Sequence, residues 1–227
     1  MLQHSVAPLK RVRTLTGKAQ SIASLIYVWR PFLHMLYAAI HGTPDPAATS
    51  RPPTNCIWTK QVKVPLAWIV AFLRGRSGNL TRRLTLDSYL RRGPSVILTT
   101  DASPYGLGAV LVIEGSTVAH FSDSICKMDR AVLGLQETAP CKDQQVLEAL
   151  AVLVSLREFS HHWKMNRVTL CIRTDNIAAL TMLTKMRPHS VQMGIVAREL
   201  ALDIVCAAYC PEICEHTPGI SNVAADS

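Results

Sequence analysis

An α/β fold is predicted for the second half of this 227-residue chain, and two observations predict it. First, apolar runs at residues 95–101, 107–113 and 116–121 are separated by turn residues, which is typical of consecutive antiparallel strands. Second, helical patterns then alternate with two further strand-like runs, which is typical of crossover connections. Together they predict a mixed five-stranded sheet flanked by helices on both faces.

The elements after the third strand follow from apolar periodicity and from the positions of proline and glycine. In chain order they are an irregular insert at 122–142, a helix at 143–160, a strand at 167–174, helices at 176–186 and about 190–207, a strand at 212–216 and the first turn of a last helix at 222–227. The predicted order is therefore β-β-β-α-β-α-α-β-α.

The first half of the chain has a helical pattern. Residues 15–41 show helical spacing with a break or restart at Pro31, and residues 57–74 predict one more helix after Pro65. Four prolines between residues 42 and 53 indicate a linker.

The segment 74–93 contains six arginines and predicts a solvated basic connector, with phosphate contact preferred over simple solubility. We therefore divide the chain into a helical basic extension, 1–93, and an α/β domain, 94–227.

Charge is distributed very unevenly between these two parts. Residues 1–93 contain 14 lysines and arginines against 2 acids, whereas residues 94–227 contain 10 against 14. The first part therefore suits a polyanion and the second could hold cations. A transit peptide would also explain an acid-free N-terminus, but the basic bias continues to Arg92, far beyond the length of such a peptide.

Several classes of protein and site are disfavoured. The longest apolar stretch, residues 22–40, is interrupted by Arg30 and Pro31, and no signal-peptide pattern is present, so we expect no membrane contact and no secretion. Seven irregularly spaced cysteines indicate a reduced intracellular protein, cytoplasmic or nuclear. The spacing of Cys206, Cys210, Cys214 and His216 is not that of a usual zinc site, and we expect these cysteines to act as small apolar residues.

Three carboxylates lie where an apolar pattern would not place them. Asp101 and Asp175 each end an apolar strand, and Glu148 lies in a helix that is apolar nearly all round. Buried carboxylates need a partner, and a bound cation is one such partner. Each position also has a simpler interpretation: a turn cap for Asp101, a surface glutamate for Glu148, and a cap for the following helix that either Asp175 or Asn176 could provide.

The motifs around these acids resemble the ribonuclease H domain of retrotransposon reverse transcriptase/ribonuclease H polyproteins. The motifs are Asp101 in Thr-Asp-Ala-Ser-Pro-Tyr-Gly-Leu-Gly, Glu148 in Leu-Glu-Ala-Leu-Ala, Asp175 in Arg-Thr-Asp-Asn-Ile-Ala-Ala-Leu, and His216 with Asp226 in His-Thr-Pro-Gly-Ile-Ser-Asn-Val-Ala-Ala-Asp-Ser. The resemblance covers about residues 95–227. Residues 15–92 resemble, more weakly, the thumb/connection region that follows the polymerase palm.

This resemblance implies a ribonuclease H-like fold and a metal-dependent endonuclease that hydrolyses the RNA strand of RNA–DNA hybrids. It implies two Mg²⁺ ions, with Mn²⁺ as a substitute, held by Asp101, Glu148, Asp175 and Asp226. Asp101 would bridge both ions, Glu148 and Asp175 would bind the first, and Asp226 the second. His216 would assist proton transfer or product release.

The resemblance also implies substrate contacts and a partner. Discrimination of RNA would come from 2′-hydroxyl contacts made by backbone amides and polar groups at Ala102, Ser103, Tyr105 and Asn176. A reverse transcriptase polymerase module would be the partner in the native polyprotein.

Two departures from the family pattern affect the expected activity. The sequence stops at Ser227, so we expect Asp226 on a frayed first helical turn, with weak binding of the second metal and slow cleavage. Residues 186–190 contain no basic helix and loop of the kind that holds hybrids in some ribonucleases H, so the basic extension would take that role.

Three alternatives remain beside this interpretation. A nucleic-acid-binding remnant without activity would keep the fold, and a resolvase-like DNA nuclease would share the acids. A sugar-kinase-like ATPase is disfavoured because 227 residues leave no room for its duplicated domain.

Overall fold

A computed structural model describes residues 5–42, 51–76, 90, 93–135, 140–163, 169–206 and 213–216. The chain divides into two compact units, Met1–Arg82 and Arg83–Ser227. Within the described residues, no helix combines the length and apolarity needed to cross a membrane. The division of the sequence at residue 93 stays a prediction, because residues 77–89 and 91–92 lie outside the described part.

Within its described residues, the first unit contains three helices and a short two-stranded ribbon. The elements are β1 (Val6–Pro8), α1 (Leu9–Leu25), a 3₁₀ turn (Tyr27–Trp29), α2 (Arg30–His41), β2 (Cys56–Trp58) and α3 (Thr59–Leu73). The two strands pair in antiparallel fashion. Trp29, Phe32, Trp68 and Phe72 form the buried centre, where the Phe32 and Trp68 rings stack with centroids 3.7 Å apart.

The predicted restart of the first helix at Pro31 is confirmed, although the interruption itself lies earlier, at Ile26. Helix α2 begins at Arg30, and Pro31 lies in its first turn, where its missing N–H loses no helical hydrogen bond. The prediction that a helix begins after Pro65 is wrong, because α3 begins at Thr59 and contains Pro65. Val62, Pro65 and Leu66 are all buried, and this burial offsets the lost backbone hydrogen bond.

The described part of the second unit contains a five-stranded sheet and four helices. The strands are β3 (Ser95–Ala102), β4 (Gly106–Ile113), β5 (Ser116–Ser124), β6 (Thr169–Thr174) and β7 (Ile213–His216). The helices are α4 (Lys127–Leu133), α5 (Pro140–Glu158), α6 (Ile177–Lys185) and α7 (Val191–Cys206), with a 3₁₀ turn at Phe159–His162.

The strand order is β5-β4-β3-β6-β7, with β3 at the centre. The strands β3, β4 and β5 are antiparallel neighbours, whereas β6 runs parallel to β3 and β7 runs parallel to β6. The helix α5 packs on β3 and β4 and also contacts α6 and α7. The predicted α/β fold, with a mixed five-stranded sheet and flanking helices, is confirmed.

The predicted irregular insert at 122–142 is wrong in three places. Strand β5 continues to Ser124, α4 occupies the middle of the segment, and α5 begins at Pro140. The N-terminus of α4 is closed by Asp129, whose Oδ2 accepts a hydrogen bond 2.8 Å long from the backbone N–H of Cys126. The usual N-cap residues are Ser, Thr, Asp and Asn, whereas α4 has Cys126 at this position, so the sequence did not predict the start of this helix.

The first residue of β4 has no room for a side chain. A Cβ at Gly106 would lie 2.9 Å from the carbonyl oxygen of Asp123 on β5. We expect Gly106→Ala to displace β5 and to lower the free energy of unfolding by about 1–3 kcal/mol, measured by urea denaturation.

Gly17→Ala is the matched control for this prediction. A Cβ at Gly17 in α1 would meet no atom within 4 Å, so this change is expected to raise stability by up to about 1 kcal/mol. Unchanged stability of the Gly106 variant would contradict the close approach of β4 and β5.

Candidate metal centre

Three carboxylates meet at one edge of the sheet in the second unit. Asp101, Glu148 and Asp175 each place one carboxylate oxygen within 4.8 Å of the others. Asp101 is the penultimate residue of β3, and Asp175 follows directly on β6. Because β3 and β6 are parallel neighbours, their carboxyl ends lie at the same edge, and α5 brings Glu148 to it from above the strands.

The strand register leaves space beside Asp101. Asp101 pairs with Gly108 of β4, and paired residues in an antiparallel ladder point to the same face. A glycine opposite Asp101 therefore adds no side chain next to the half-buried carboxylate.

The cap of α6 is the residue after Asp175. The side-chain Oδ1 of Asn176 accepts hydrogen bonds from the backbone N–H groups of Ala178 and Ala179, each 3.0 Å long. The helix N-terminus is thus satisfied by Asn176, and the carboxylate of Asp175 belongs to the acidic cluster.

Glu148 is the buried member of the cluster, with 2% of its surface exposed. Its Oε1 accepts a hydrogen bond of 2.9 Å from Nε2 of Gln144, and its Oε2 accepts one of 3.4 Å from Oγ1 of Thr174. Burial raises the pKa of Glu148 to about 8, and the negative charges of Asp175 and Asp101 add to the increase. The hydrogen bonds from Gln144 and Thr174 stabilise the ionised form and therefore lower the pKa, which offsets part of the increase. The alternative of a surface glutamate is therefore wrong.

The residues present suit a hard divalent cation. The cluster offers only carboxylate oxygens, and these are the ligands preferred by Mg²⁺ and Mn²⁺, whereas zinc sites usually include nitrogen or sulfur. Burial, and after it the charges of Asp175 and Asp101, raises the pKa of Glu148, and a bound cation would favour the ionised form of this carboxyl instead. Among the described residues this is the one group of acids, histidines and cysteines that could hold a metal.

Sequence reasoning missed Gln144 and Thr174. The Nε2 of Gln144 also donates to the backbone carbonyl of Ala102, so one amide joins α5 to the end of β3 and to Glu148. The signal was available, because Gln144 precedes Glu148 by four residues and such pairs are neighbours on a helix. Thr174 gave no comparable signal.

The predicted substrate residues border the cluster, but several of their polar atoms are already bonded. The Oγ of Ser103 accepts hydrogen bonds from the backbone N–H groups of Tyr105 (3.2 Å) and Gly106 (3.0 Å), which shape the β3–β4 turn. Asn176 uses Oδ1 in the helix cap, and the carbonyl of Ala102 accepts from Gln144. Tyr105 is 80% exposed beside this edge. Their roles in substrate binding stay predictions.

Of the predicted site residues His216 and Asp226, the structure describes only the backbone of His216. The backbone of His216 ends β7 and pairs with Thr174, one residue before Asp175, so the strand register brings it to the same edge. Its side chain and all of Asp226 lie outside the described residues, as do Cys210 and the side chains of Cys206 and Cys214.

A shallow depression of about 530 Å³ is lined in part by residues that are close in sequence to the acids. Gln145 follows Gln144 on α5, and Ile177 begins α6 two residues after Asp175. The lining residues are Gln145, Ile177, Ala178, Thr181 and His189.

Comparisons with known proteins give structural matches only. No family model matches the chain, and no curated protein matches it in sequence. Ribonuclease H1 from the halophilic archaeon Halobacterium salinarum NRC-1 aligns over 58% of this chain and 92% of its own, with 18% identity and a TM-score of 0.42.

Two further structures come from other sources. LC11-RNase H1, isolated from compost by a metagenomic approach and solved in complex with an RNA/DNA hybrid, aligns over 58% of this chain and 91% of its own, with 18% identity and a TM-score of 0.43. A foamy viral protease-reverse transcriptase in complex with double-stranded DNA aligns over 92% of this chain and 36% of its own, with 14% identity and a TM-score of 0.31.

The raised pKa of Glu148 predicts that stability in the absence of metal falls as pH rises. Between pH 4.5 and about 8 the folded state keeps a proton that the unfolded state has released. The free energy of unfolding therefore falls across this window, by up to roughly 1.4 kcal/mol per pH unit. We expect Glu148→Gln to remove this pH dependence, so that the free energy of unfolding of the variant, relative to that of the parent, increases from pH 5 to pH 8.

The measurement is denaturant unfolding in EDTA at several pH values. Glu158→Gln, which changes an exposed glutamate on the same helix, should follow the parent. Parallel curves for the parent and the Glu148 variant would contradict the buried, protonated state.

Proposed function

We propose that the second unit is a divalent-metal-dependent endonuclease that hydrolyses the RNA strand of RNA–DNA hybrids, as part of a retroelement reverse transcriptase. The observation that carries the proposal is the convergence of Asp101, Glu148 and Asp175 on one edge of the sheet. The resemblance of the surrounding motifs to retroelement ribonuclease H supports the substrate class and the polyprotein context.

Asp101, Glu148 and Asp175 would hold the first Mg²⁺, with Mn²⁺ as a substitute. Asp101 would also contribute to a second ion together with Asp226. When bound, the ions would lower the pKa of the attacking water and neutralise charge on the leaving 3′ oxygen.

The chain's own residues prepare this site before any ion arrives. The amide of Gln144 fixes one oxygen of Glu148, and the hydroxyl of Thr174 lies at the other. Because Gln144 also donates to the carbonyl of Ala102, the spacing between α5 and β3 is fixed at the acids. A site held by strand ends and a packed helix keeps its ligand positions better than a site on loops.

The substrate would lie across the same edge of the sheet. The β3–β4 turn, from Ala102 to Tyr105, would supply backbone amides and the exposed Tyr105 ring to one side of the cleaved phosphate. Asn176 and the depression beside Gln145 would border the other side, where contacts to 2′-hydroxyl groups select RNA. His216 would pass a proton to the leaving oxygen or assist product release.

The decisive test is Asp101→Asn. Removing one charged oxygen from the three-carboxylate cluster should reduce Mg²⁺-dependent cleavage of the RNA strand by more than roughly 100-fold, with the fold retained. Single-turnover cleavage of a labelled RNA–DNA hybrid measures the rate. Asp123→Asn, a change at an exposed acid on β5, is the matched control and should cleave like the parent.

Three other results would overturn the proposal. Equal rates for the Asp101 variant and the parent would place the chemistry elsewhere. A parent that binds hybrids but cleaves none would indicate an inactive remnant. Cleavage of DNA junctions in preference to hybrids would indicate a resolvase-like nuclease.

The hydrogen bonds of Gln144 give a further prediction. Gln144→Leu removes a bond that lowers the pKa of Glu148 and leaves the carbonyl of Ala102 without this donor. We expect a loss of roughly 10–100-fold in metal affinity at neutral pH, partly recovered at higher pH.

Calorimetric titration with Mn²⁺ measures the affinity of the Gln144 variant. Gln145→Leu changes the exposed neighbour and should leave metal binding unaltered. Equal affinity in both variants would exclude the positioning role of Gln144.

A further inference from the structure

The first unit has one sign of charge throughout its described part. Residues 5–42 and 51–76 contain ten lysines and arginines and no aspartate or glutamate. The ten are Lys10, Arg11, Arg13, Lys18, Arg30, Arg51, Lys60, Lys63, Arg74 and Arg76. No acidic side chain in these residues can therefore neutralise them.

Helix α1 concentrates four of these cations. Its buried face is formed by Val12, Thr16, Ala19 and Ala23, which pack into the unit. Lys10, Arg11 and Lys18 are exposed on one flank of the opposite side, and together with Thr14 and Leu15 they line a shallow depression of about 460 Å³. We name Lys10, Arg11, Thr14 and Lys18 the basic face.

The position of these charges opposes the intrinsic preference of a helix. The N-terminal end of a helix carries partial positive charge, so acids stabilise the first turn and cations do not. The first turn of α1 contains Lys10 and Arg11, no acid and no side-chain cap. The positive potential of the helix end adds to that of the side chains, and this arrangement favours an anionic ligand.

We propose that the basic face of α1 binds the phosphodiester backbone of a nucleic-acid duplex. Lys10 and Lys18 are eight residues apart, or about 12 Å along the helix axis. Phosphates on one strand follow each other at about 3.4 Å of duplex axis, so this face spans three to four of them. The proposal concerns the first unit alone and does not depend on cleavage by the second.

An anionic membrane fits this helix less well. A helix that lies on a membrane inserts a free apolar face between the lipids. The apolar face of α1 is already buried within the unit, and the large apolar side chain it exposes is Leu25, which is 73% exposed at the far end of the helix.

The test compares two neutralised variants of the full chain. Lys10→Gln/Arg11→Gln/Lys18→Gln changes the basic face, and Lys60→Gln/Lys63→Gln/Arg74→Gln removes the same charge from exposed positions on and after α3. Binding to a labelled 20-base-pair duplex is measured by fluorescence anisotropy in EDTA over a series of salt concentrations. Circular dichroism confirms the fold of each variant.

The expected result is specific to the basic face. Its variant should reduce the slope of log affinity against log salt by about 2–3, because about 0.9 is lost for each phosphate contact removed. The α3 variant should reduce the slope by less than about 1. Equal reductions in both variants would assign binding to net charge and would overturn the proposal, as would no reduction in either.

A membrane arm and the use of EDTA separate the remaining outcomes. Binding to phosphatidylserine vesicles without binding to the duplex would replace nucleic acid by a membrane and overturn the proposal. All binding is measured in EDTA, where metal-dependent cleavage does not occur, so a failure of the proposed nuclease function would leave this result unchanged.

Discussion

The burial of a glutamate among other acids is the constraint on which the second unit depends. Glu148 is nearly inaccessible to solvent, and two aspartates lie close enough to share a cation with it. Burial of a carboxylate destabilises a fold unless a proton or a cation compensates its charge. The raised pKa of Glu148 is the sign of that cost. A bound divalent cation would stabilise this arrangement of a buried glutamate with two nearby aspartates.

The surrounding structure holds this unfavourable residue in place. The central strand β3 contributes Asp101, the parallel neighbour β6 leads to Asp175, and the parallel register fixes their separation. Gln144 then joins the helix to the strand by one side-chain amide. Rigid elements and a small number of directed hydrogen bonds thus hold the three acids at one edge of the sheet.

The two units have opposite chemistry. The first carries cations without acids in its described residues and is held together by stacked aromatic rings, so its surface charge is not required for its core. The second collects acids at a sheet edge. The positive charge of the first unit would attract a polyanion, and the acidic cluster of the second unit could hold a cation.

The sequence by itself determined the strands, their order, the three acids and the charge division, because apolar periodicity and misplaced carboxylates are local signals. It did not determine the helix at Lys127–Leu133 or the continuous helix through Pro65, since an unusual cap and the burial of a proline depend on neighbours. Only the tertiary structure decided that the cap is Asn176 and not Asp175, and that Glu148 is buried and not at the surface. It alone showed that Gln144 joins helix α5 to strand β3. These features depend on tertiary contacts between elements that are distant in sequence, and a local sequence pattern does not predict such contacts.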